Sequence, residues 1–295
     1  MRVSNIISVS FKTKRRAKAG NEGKRMNVRE SIEEFFKENK IEYFSFLRYG
    51  DCREINSAII GRENFSPRSV IMFVLPYYTG ECENMSIYAS SLDYHIAIRE
   101  VTEGVIEILK RHYQDCSAKG YGDHSPIDER HAALISGLGI LGDSGLLINE
   151  KYGTYIFIGD VVTDIAPEEL GYTKPCEIEK CEGCGICKAK CPTGILRGEC
   201  DDCLSAITQR KGDLTDDEIK LMRQVNTVWG CDECQRYCPH NKKLVLTPIP
   251  FFYRDRIASL NSEILQNMSR SEFQKRAFAW RGRRTVERNL KHLDL

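Results

Sequence analysis

Thirteen cysteines in a chain of 295 residues are the feature of this sequence with the clearest chemistry. Ten of them lie between residues 175 and 241. The first motif among them is Cys181-x2-Cys184-x2-Cys187-x3-Cys191-Pro192. In a run of this kind, three closely spaced thiolates wrap one cubane iron–sulfur cluster and the fourth cysteine ligates a second cluster. The spacing therefore predicts two clusters, which pass electrons one at a time.

A second motif, Cys231-x2-Cys234-x3-Cys238, is followed by Pro239. Aligned with the first motif, it supplies the second, third and fourth cysteines, and Val228 stands where the first would be. Two cubanes need eight thiolates, so a cysteine outside both motifs must complete the set. The expected ligands are Cys181, Cys184, Cys187 and Cys238 for one cluster, and Cys191, Cys231, Cys234 and the outside cysteine for the other.

Three cysteines outside the motifs are candidates for the eighth ligand. We favour Cys203, because it lies between the motifs and begins the segment CLSAITQ, whose pattern is helical. Cys200, in an acidic turn, is the second choice, and Cys176 is the third. Zinc is the alternative occupant, but zinc sites combine CxxC pairs separated by a longer gap. The spacing therefore favours iron–sulfur clusters over zinc.

The remaining composition is that of an ordinary globular protein. Hydrophobic residues make up 41% and charged residues 29% of the chain, and the net charge of +1 gives no overall indication of nucleic-acid binding. The sequence shows no apolar run of membrane-spanning length and no secretory signal. Cysteine-rich chains of this kind reside where thiols stay reduced. We therefore predict a cytoplasmic protein without a membrane partner, in which Cys52, Cys82 and Cys116 are unligated thiols.

Periodicity predicts a layered domain before the cysteine motifs. Residues 28–36 have helical spacing, and residues 69–77 form a continuous apolar run typical of a buried strand. Residues 93–113 carry the apolar stripe of a long amphipathic helix. Residues 145–149 and 154–162 have the composition of further strands. Because helices alternate with strands, we predict a layered α/β or α+β fold for this part.

The chain divides into four predicted parts. Residues 1–25 form a basic, disordered tail or an extension, with eight Lys or Arg and one acidic residue. Residues 26–171 form the α/β domain, residues 172–245 a ferredoxin-like domain with two clusters, and residues 246–295 a basic helical segment. A protein that only transfers electrons through two clusters does not need so large a first domain. We therefore expect the α/β domain to hold an electron acceptor.

Local sequence in the α/β domain gives three weaker indications. Gly137 and Gly139 follow a helical pattern rather than a strand, which argues against a nicotinamide-binding fold and favours close approach of a planar ligand. Asp93 is expected to cap the long helix at its N-terminus. Asp123, three residues before Pro126, is by local sequence a turn or cap residue.

The order of several short motifs resembles the cobalamin-dependent epoxyqueuosine reductases, which are tRNA-modifying relatives of reductive dehalogenases. The resemblance runs from about residue 26 to the end of the chain. Before the cysteine motifs it rests on Asp93-Tyr94-His95, Asp123-x-x-Pro126-x-x-Glu129-Arg130, Gly137-Leu138-Gly139 with Leu147, Tyr152-Gly153-Thr154-Tyr155, and Gly159-Asp160-Val161-Val162-Thr163-Asp164. Within the cysteine region it adds Cys203-Leu204-Ser205 with Thr208-Gln209, Gly230-Cys231-Asp232-x-Cys234-Gln235, and Cys238-Pro239-x-Asn241.

The resemblance implies a base-off cobalamin bound on the α/β domain, close to the second cluster. Cys203 matches the isolated cluster ligand of the family. Asp123 matches its proton donor, for which a buried carboxyl with a raised pKa would be suited. Asp143 stands where relatives commonly have lysine, which implies an anion near the cofactor. The positions that match the corrinoid wall are Leu147, Ile158, Val161 and Ser205.

The implied reaction is the two-electron reduction of the epoxide on the modified base at the tRNA wobble position, with loss of water, to give queuosine. The implied partners are tRNA carrying epoxyqueuosine and a reduced electron donor of the ferredoxin or flavodoxin type. The basic residues that resemble the segment beside the tRNA are Arg281, Arg283, Arg284 and Arg288. Two alternatives stay open: a corrinoid and iron–sulfur reductase of another substrate, and a two-cluster electron carrier without a tRNA substrate.

Overall fold

The computed structural model describes residue 11 and residues 26–295, and the rest of the predicted basic tail lies outside the described residues. The strands are β1 Phe44–Arg48, β2 Ser69–Pro76, β3 Ala118–Tyr121, β4 Ile140–Leu141, β5 Leu147–Ile148 and β6 Ile156–Thr163. The α-helices are α1 Val28–Glu38, α2 Ser57–Glu63, α3 Tyr94–His112, α4 Glu129–Ile135, α5 Pro167–Leu170, α6 Ile186–Lys190, α7 Leu204–Gln209, α8 Asp216–Val225, α9 Glu233–Arg236, α10 Ser262–Asn267, α11 Arg270–Phe273 and α12 Arg283–His292.

Four strands form the central sheet in the order β1-β2-β6-β3, and every neighbouring pair is antiparallel. β2 is buried along its whole length, as its continuous apolar sequence predicts. The alternation of helices and strands therefore builds an antiparallel layered sheet, which is the α+β form of the predicted fold. In the register of β6, Asp160 lies between Met72 of β2 and Tyr121 of β3.

Alternate residues of the sheet pack into two separate layers. Phe73 and Val161 face α1 and α3, in a core that includes Phe36. Met72 and Val162 belong to the opposite face, which α4 covers. Burying one such aliphatic or aromatic side chain contributes roughly 1.5–3 kcal/mol. The sheet is thus held rigidly between helices, and residues at its ends are fixed in position.

The long helix α3 begins where the sequence predicts. The Asp93 side chain accepts a hydrogen bond from the His95 backbone N–H at 3.0 Å, which caps the helix. The last turn carries Lys110, Arg111 and His112, whose charges suit the negative end of the helix dipole. The cap fixes the first turn of α3, and that turn presents Tyr94 and His95 to the loop that contains Asp123.

The residues after 245 complete the main hydrophobic core. Phe251, Phe252, Phe278 and Leu290 are buried in the same core as Phe36 of α1. The basic C-terminal segment therefore packs against the first domain. In the part of the chain that the structure describes, no helix combines the length and the apolar character that crossing a bilayer requires.

Gly139 lies where the backbone folds back on itself. A Cβ atom at this position would come within 2.4 Å of the Ile148 carbonyl oxygen on β5. The close approach that Gly139 permits is thus to the chain's own ribbon of β4 and β5, which accounts for a glycine at this position.

Candidate functional site

Four cysteines from distant parts of the sequence line one small cavity, and we call them the first thiol group. They are Cys181, Cys184, Cys187 and Cys238. Cys187 lies in α6, and Cys238 ends the turn after α9. The last cysteine of the second motif therefore lies with the first three of the first motif, which is the exchange of fourth ligands that the sequence predicts.

A second thiol group consists of Cys191, Cys203, Cys231 and Cys234. Burial and then the charges of neighbouring groups, Cys203 among them, raise the pKa of Cys231 to about 12. Burial raises the pKa of Cys234 to about 12, with further contributions from the charges of Cys231, Cys203 and Cys191. Cys203 therefore acts electrostatically on both Cys231 and Cys234, and Cys191 acts on Cys234, which groups the four thiols.

The three candidates for the eighth ligand differ in where their sulfurs lie. Cys203 is the N-cap residue of α7, and its charge acts on Cys231 and Cys234 of the second thiol group. The Cys200 sulfur lies nearby but contacts the backbone oxygen of Asp202 at 2.9 Å. The Cys176 sulfur approaches the Leu134 carbonyl oxygen at 3.5 Å, and Cys176 lines a different cavity, beside Gly137. The geometry favours Cys203.

The arrangement of the thiols suits a cluster better than a single ion. Within residues 26–295, no three His, Cys, Asp or Glu side chains converge closely enough to hold one metal ion. A cubane is larger than an ion and takes one thiolate at each corner. The first thiol group lines one small cavity and offers one thiolate for each corner of a cubane.

Asp143 lies beside the first thiol group. Its backbone N–H donates to the Cys181 sulfur at 3.3 Å, and its carboxylate pairs with Lys188 at 2.9 Å. Lys188 thus places a cation next to the Asp143 carboxylate. Hydrogen bonds to ligand sulfurs are among the factors that set cluster potentials.

A cavity of about 680 Å³ lies between the α/β domain and α7. Three aromatic rings form its floor: the Phe157 ring stacks on Tyr94 at a centroid distance of 4.0 Å and on Tyr77 at 4.3 Å. The interplanar angle between Phe157 and Tyr94 is 8°. Ser205, two residues after Cys203, lines the opposite wall. A planar ligand stacked on this floor would therefore lie between Asp123 and the second thiol group.

Of the four residues predicted to form the corrinoid wall, one lines this cavity and three do not. Ser205 lines the cavity. Leu147 and Val161 are buried in the two cores, and Ile158 packs against the core that α4 covers. Their neighbours Leu146, Ile156 and Phe157 line the cavity instead. On β6, Phe157 and Ile158 point to opposite faces of the sheet, because residues one position apart alternate.

Asp123 lies at the rim of the cavity and is held by two side chains of α3. The Tyr94 hydroxyl donates to Asp123 Oδ2, and His95 Nε2 lies 3.4 Å from the same oxygen. His95 Nδ1 lies 2.8 Å from Asp93 Oδ1, so the imidazole bridges two carboxylates. The backbone of Asp123 has a φ of 69°, a left-handed conformation that Asp tolerates better than most residues.

The expectation of a buried Asp123 with a raised pKa is wrong. The Asp123 side chain is 53% exposed. Partial burial acts to raise its pKa, but hydrogen bonds from His95 and Tyr94 outweigh this, and the pKa of Asp123 is lowered. Hydrogen bonds to Asp123 and then Asp93 raise the pKa of His95 to about 9. At neutral pH the proton of this pair therefore resides on the imidazole.

Sequence reasoning assigned no role to three residues beside the site. Two of them are Asp160, which is fully buried, and Glu129, which is partly buried and binds the Asp123 backbone, although both stand in motifs that carry the resemblance. Trp280 lines both the main cavity and a neighbouring cavity of about 560 Å³. The signal for Trp280 is its position directly before Arg281 in the basic segment.

Comparison with known proteins agrees with these features. Residues 180–241 match the family described as 4Fe-4S double cluster binding domain. Epoxyqueuosine reductase of Staphylococcus aureus is 30% identical over 205 residues, which cover 67% of this chain and 52% of that protein. The resemblance to epoxyqueuosine reductases is confirmed. The chain spans about half the length of this curated relative.

Solved structures of epoxyqueuosine reductases share the fold. The structure from Streptococcus thermophilus superposes with a TM-score of 0.73 at 21% identity, covering 91% of this chain and 81% of that one. A crystal structure of epoxyqueuosine reductase with an epoxyqueuosine-modified tRNA stem loop gives a TM-score of 0.68 at 21% identity, covering 90% and 81%. The predicted combination of a layered domain and a double-cluster domain is therefore confirmed.

Proposed function

We propose that this protein reduces epoxyqueuosine in tRNA to queuosine, using two 4Fe-4S clusters and cobalamin. The observation that carries the proposal is one cavity with the Asp123–His95 pair at its rim and Ser205, next to Cys203, in its wall. Proton source and electron source thus face the same space. The similarity to epoxyqueuosine reductases, one of which is solved with a modified tRNA stem loop, supports tRNA as the substrate.

The two thiol groups would hold the clusters, and the cavity would hold the corrinoid. Stacked aromatic rings and apolar side chains suit a large planar group, and Ser205 brings that group next to the second thiol group. When bound, cobalamin would supply a strongly reducing, nucleophilic cobalt. A reduced ferredoxin or flavodoxin-type protein is the proposed donor, and a reducing, cytoplasmic compartment is part of the proposal.

The protein's own contribution to the chemistry is the proton. Opening the epoxide with two electrons and two protons releases the oxygen as water, so the departing oxygen needs an acid beside it. The Asp123 carboxylate accepts hydrogen bonds from Tyr94 and His95, and the pKa of His95 is about 9. We propose that the His95 imidazolium holds the proton and that Asp123 positions it and passes it to the substrate oxygen.

This pair predicts an alkaline limb in the pH profile. The pKa of His95 is raised to about 9, so its charge and the stabilisation from its ion pairs are complete below the usual histidine pKa and are lost as pH rises through about 9. Turnover should fall tenfold per pH unit above that value. In a Glu129→Gln background, which removes the titration of the neighbouring carboxyl pair of Glu129 and Asp160, His95→Gln should be slower and should lack this limb, and an unchanged limb would exclude His95 as its source.

Two of the four basic residues assigned to the tRNA face are engaged inside the protein. The Arg283 guanidinium donates to the carbonyl oxygens of Leu265 and Met268. The Arg288 guanidinium donates to those of Arg210 and Gly212. Their role is therefore to tie loops together. Arg281 and Arg284 stay available to meet phosphates.

Trp280 is the proposed contact for a nucleobase next to the epoxyqueuosine. Its side chain is 59% exposed, and its indole N–H donates to Gln209 Oε1 at 3.2 Å, which fixes the plane of the ring. The Arg281 guanidinium lies 3.7 Å from the ring centroid. An exposed, oriented aromatic ring beside a cation is the usual arrangement for stacking an unpaired base.

We predict that Trp280→Ala weakens binding of a modified stem loop by about tenfold, because stacking one base on an aromatic ring contributes about 1–3 kcal/mol. Trp280→Phe should restore most of the affinity. Ile55→Ala, which truncates a side chain that is 64% exposed, is the matched control. Equal affinity of all four proteins in a fluorescence anisotropy titration would remove Trp280 from the RNA face.

The test of the proposed function is anaerobic reconstitution with iron, sulfide and cobalamin, followed by an assay on tRNA that carries epoxyqueuosine. Queuosine should appear in the nucleoside digest. Cobalamin binding without turnover of this tRNA would favour a corrinoid reductase of another substrate. Reconstituted clusters with no spectral response to cobalamin would favour an electron carrier.

A further inference from the structure

The buried carboxyl group of Asp160 has no function in the proposed reaction. Asp160 lies in the middle of β6, has 0% exposure and is surrounded by the core that α4 covers. Neither of its carboxyl oxygens has a hydrogen-bond partner among the described residues. An ionised carboxylate in such a place is strongly disfavoured unless it is compensated.

Glu129 is the acidic neighbour of Asp160. It begins α4, which packs on β6, and its side chain is largely withdrawn from solvent. Glu129 Oε1 accepts the backbone N–H of Asp123 at 3.1 Å. The same glutamate thus senses the charge of the buried aspartate, which helps to raise the pKa of Glu129, and binds the backbone of the left-handed loop residue of the proposed active site.

We propose that Glu129 and Asp160 share one proton and that this carboxyl pair is a positioning device, which holds the Asp123 loop against Tyr94 and His95. The proposal rests on the proposed function for its consequence in catalysis. Its structural part concerns the chain alone. Two carboxylates so close together cannot both be ionised at low cost, whereas one shared proton turns their repulsion into a hydrogen bond.

The surroundings of the pair favour the protonated state. Burial is the main cause that raises the pKa of Asp160, and burial followed by the charges of Asp160 and Asp123 raises the pKa of Glu129. Tyr121 from β3 and Cys52 from the turn after β1 also face the pair, and burial keeps both neutral by raising their pKa values. The Ser125 hydroxyl acts in the opposite direction and partly offsets the effect of burial on the pKa of Asp160.

The shared proton predicts how the loop responds to pH. Because both pKa values are raised above those of ordinary carboxyls, the stabilisation is complete in acid and is lost as pH rises through the titration of the folded pair. With both groups ionised, Glu129 is repelled and the hydrogen bond to the Asp123 backbone weakens. The left-handed conformation at Asp123 then loses a main support.

The experiment compares wild-type protein, Glu129→Gln and Glu129→Ala, each reconstituted with its clusters. Hydrogen–deuterium exchange is measured for the peptide that spans residues 121–127 over a range of pH, and each variant is compared with wild type at the same pH. Glutamine keeps an oxygen acceptor for the Asp123 N–H and can donate to Asp160 without a shared proton. Alanine removes both contacts.

We expect normal exchange in Glu129→Gln and exchange at least tenfold faster in Glu129→Ala. As pH rises, the exchange rate of wild type should approach that of Glu129→Ala at the same pH, whereas the rate of Glu129→Gln should not. Infrared difference spectra on titration should contain the band of a protonated carboxylic acid in wild type that is absent from the double variant Glu129→Gln/Asp160→Asn. Equal exchange in wild type and both variants, or spectra that do not differ from those of the double variant, would overturn the proposal.

Turnover separates this inference from the proposed function. If epoxyqueuosine tRNA is a substrate, kcat should fall by about 10²-fold in Glu129→Ala, which is the usual effect of misplacing a reacting group, and Glu129→Gln should restore it while KM stays constant. If neither wild type nor any variant turns over this tRNA, the proposed function fails. Hydrogen exchange and infrared spectra then still test whether Glu129 and Asp160 share a proton. If Glu129→Ala does not fold, the pH dependence of wild type against Glu129→Gln decides it.

Discussion

Replacing Asp123 with alanine is expected to lower the rate of epoxyqueuosine reduction by about 10²–10⁴-fold, which is the usual contribution of a positioned acid or base. The carboxylate accepts hydrogen bonds from Tyr94 and lies 3.4 Å from His95 Nε2. Without it, the imidazolium loses its partner on the cavity side, and the departing oxygen loses its proton path. The rate is measured in single turnover with reduced, reconstituted protein and a modified stem loop.

Binding and cofactor content separate this effect from misfolding. Asp123 is half exposed and belongs to neither hydrophobic core, so Asp123→Ala should keep its iron, its cobalamin spectrum and its affinity for RNA. Asp123→Asn keeps the shape of the side chain and should be nearly as slow as alanine, because an amide does not relay the proton. Asp115→Ala, at an exposed position in the turn after α3, is the matched control and should turn over normally. Full activity in either Asp123 variant would remove the residue from the proton path.

Cys203→Ser is expected to lose one cluster, so that iron falls from about eight to about four atoms per chain. Cys203 lies with Cys191, Cys231 and Cys234 and caps α7 beside the cavity. Under the proposed function, turnover should be abolished, because this cluster would complete the electron path to the cofactor. The measurements are elemental analysis and electron paramagnetic resonance of the dithionite-reduced protein.

Cys200→Ser is the matched control for this prediction. Cys200 is three residues away, its thiol is close to Cys203, and its sulfur contacts the Asp202 backbone. It should keep about eight irons and its activity. The reverse result, with iron retained in Cys203→Ser and lost in Cys200→Ser, would transfer the eighth ligand to Cys200.

The sequence determined the elements whose signals are local. The tight spacing of Cys181, Cys184 and Cys187 admits few arrangements, and it predicts the double-cluster domain that the family comparison confirms. The continuous apolar run of β2 and the cap at Asp93 depend on residues within one element, and both are present in the structure. Periodicity gave the layers but not the antiparallel order of the strands, because strand direction depends on contacts far apart in sequence.

Only the tertiary structure decided the features that join distant segments. The grouping of Cys203 with Cys231 and Cys234 depends on where α7 meets the second motif. The ionised state of Asp123 depends on hydrogen bonds from α3, some thirty residues earlier, which outweigh partial burial. The effect of Asp160 on the pKa of Glu129 requires α4 to pack on β6. Each is an electrostatic property set by neighbours in space, and residue order alone does not determine those neighbours.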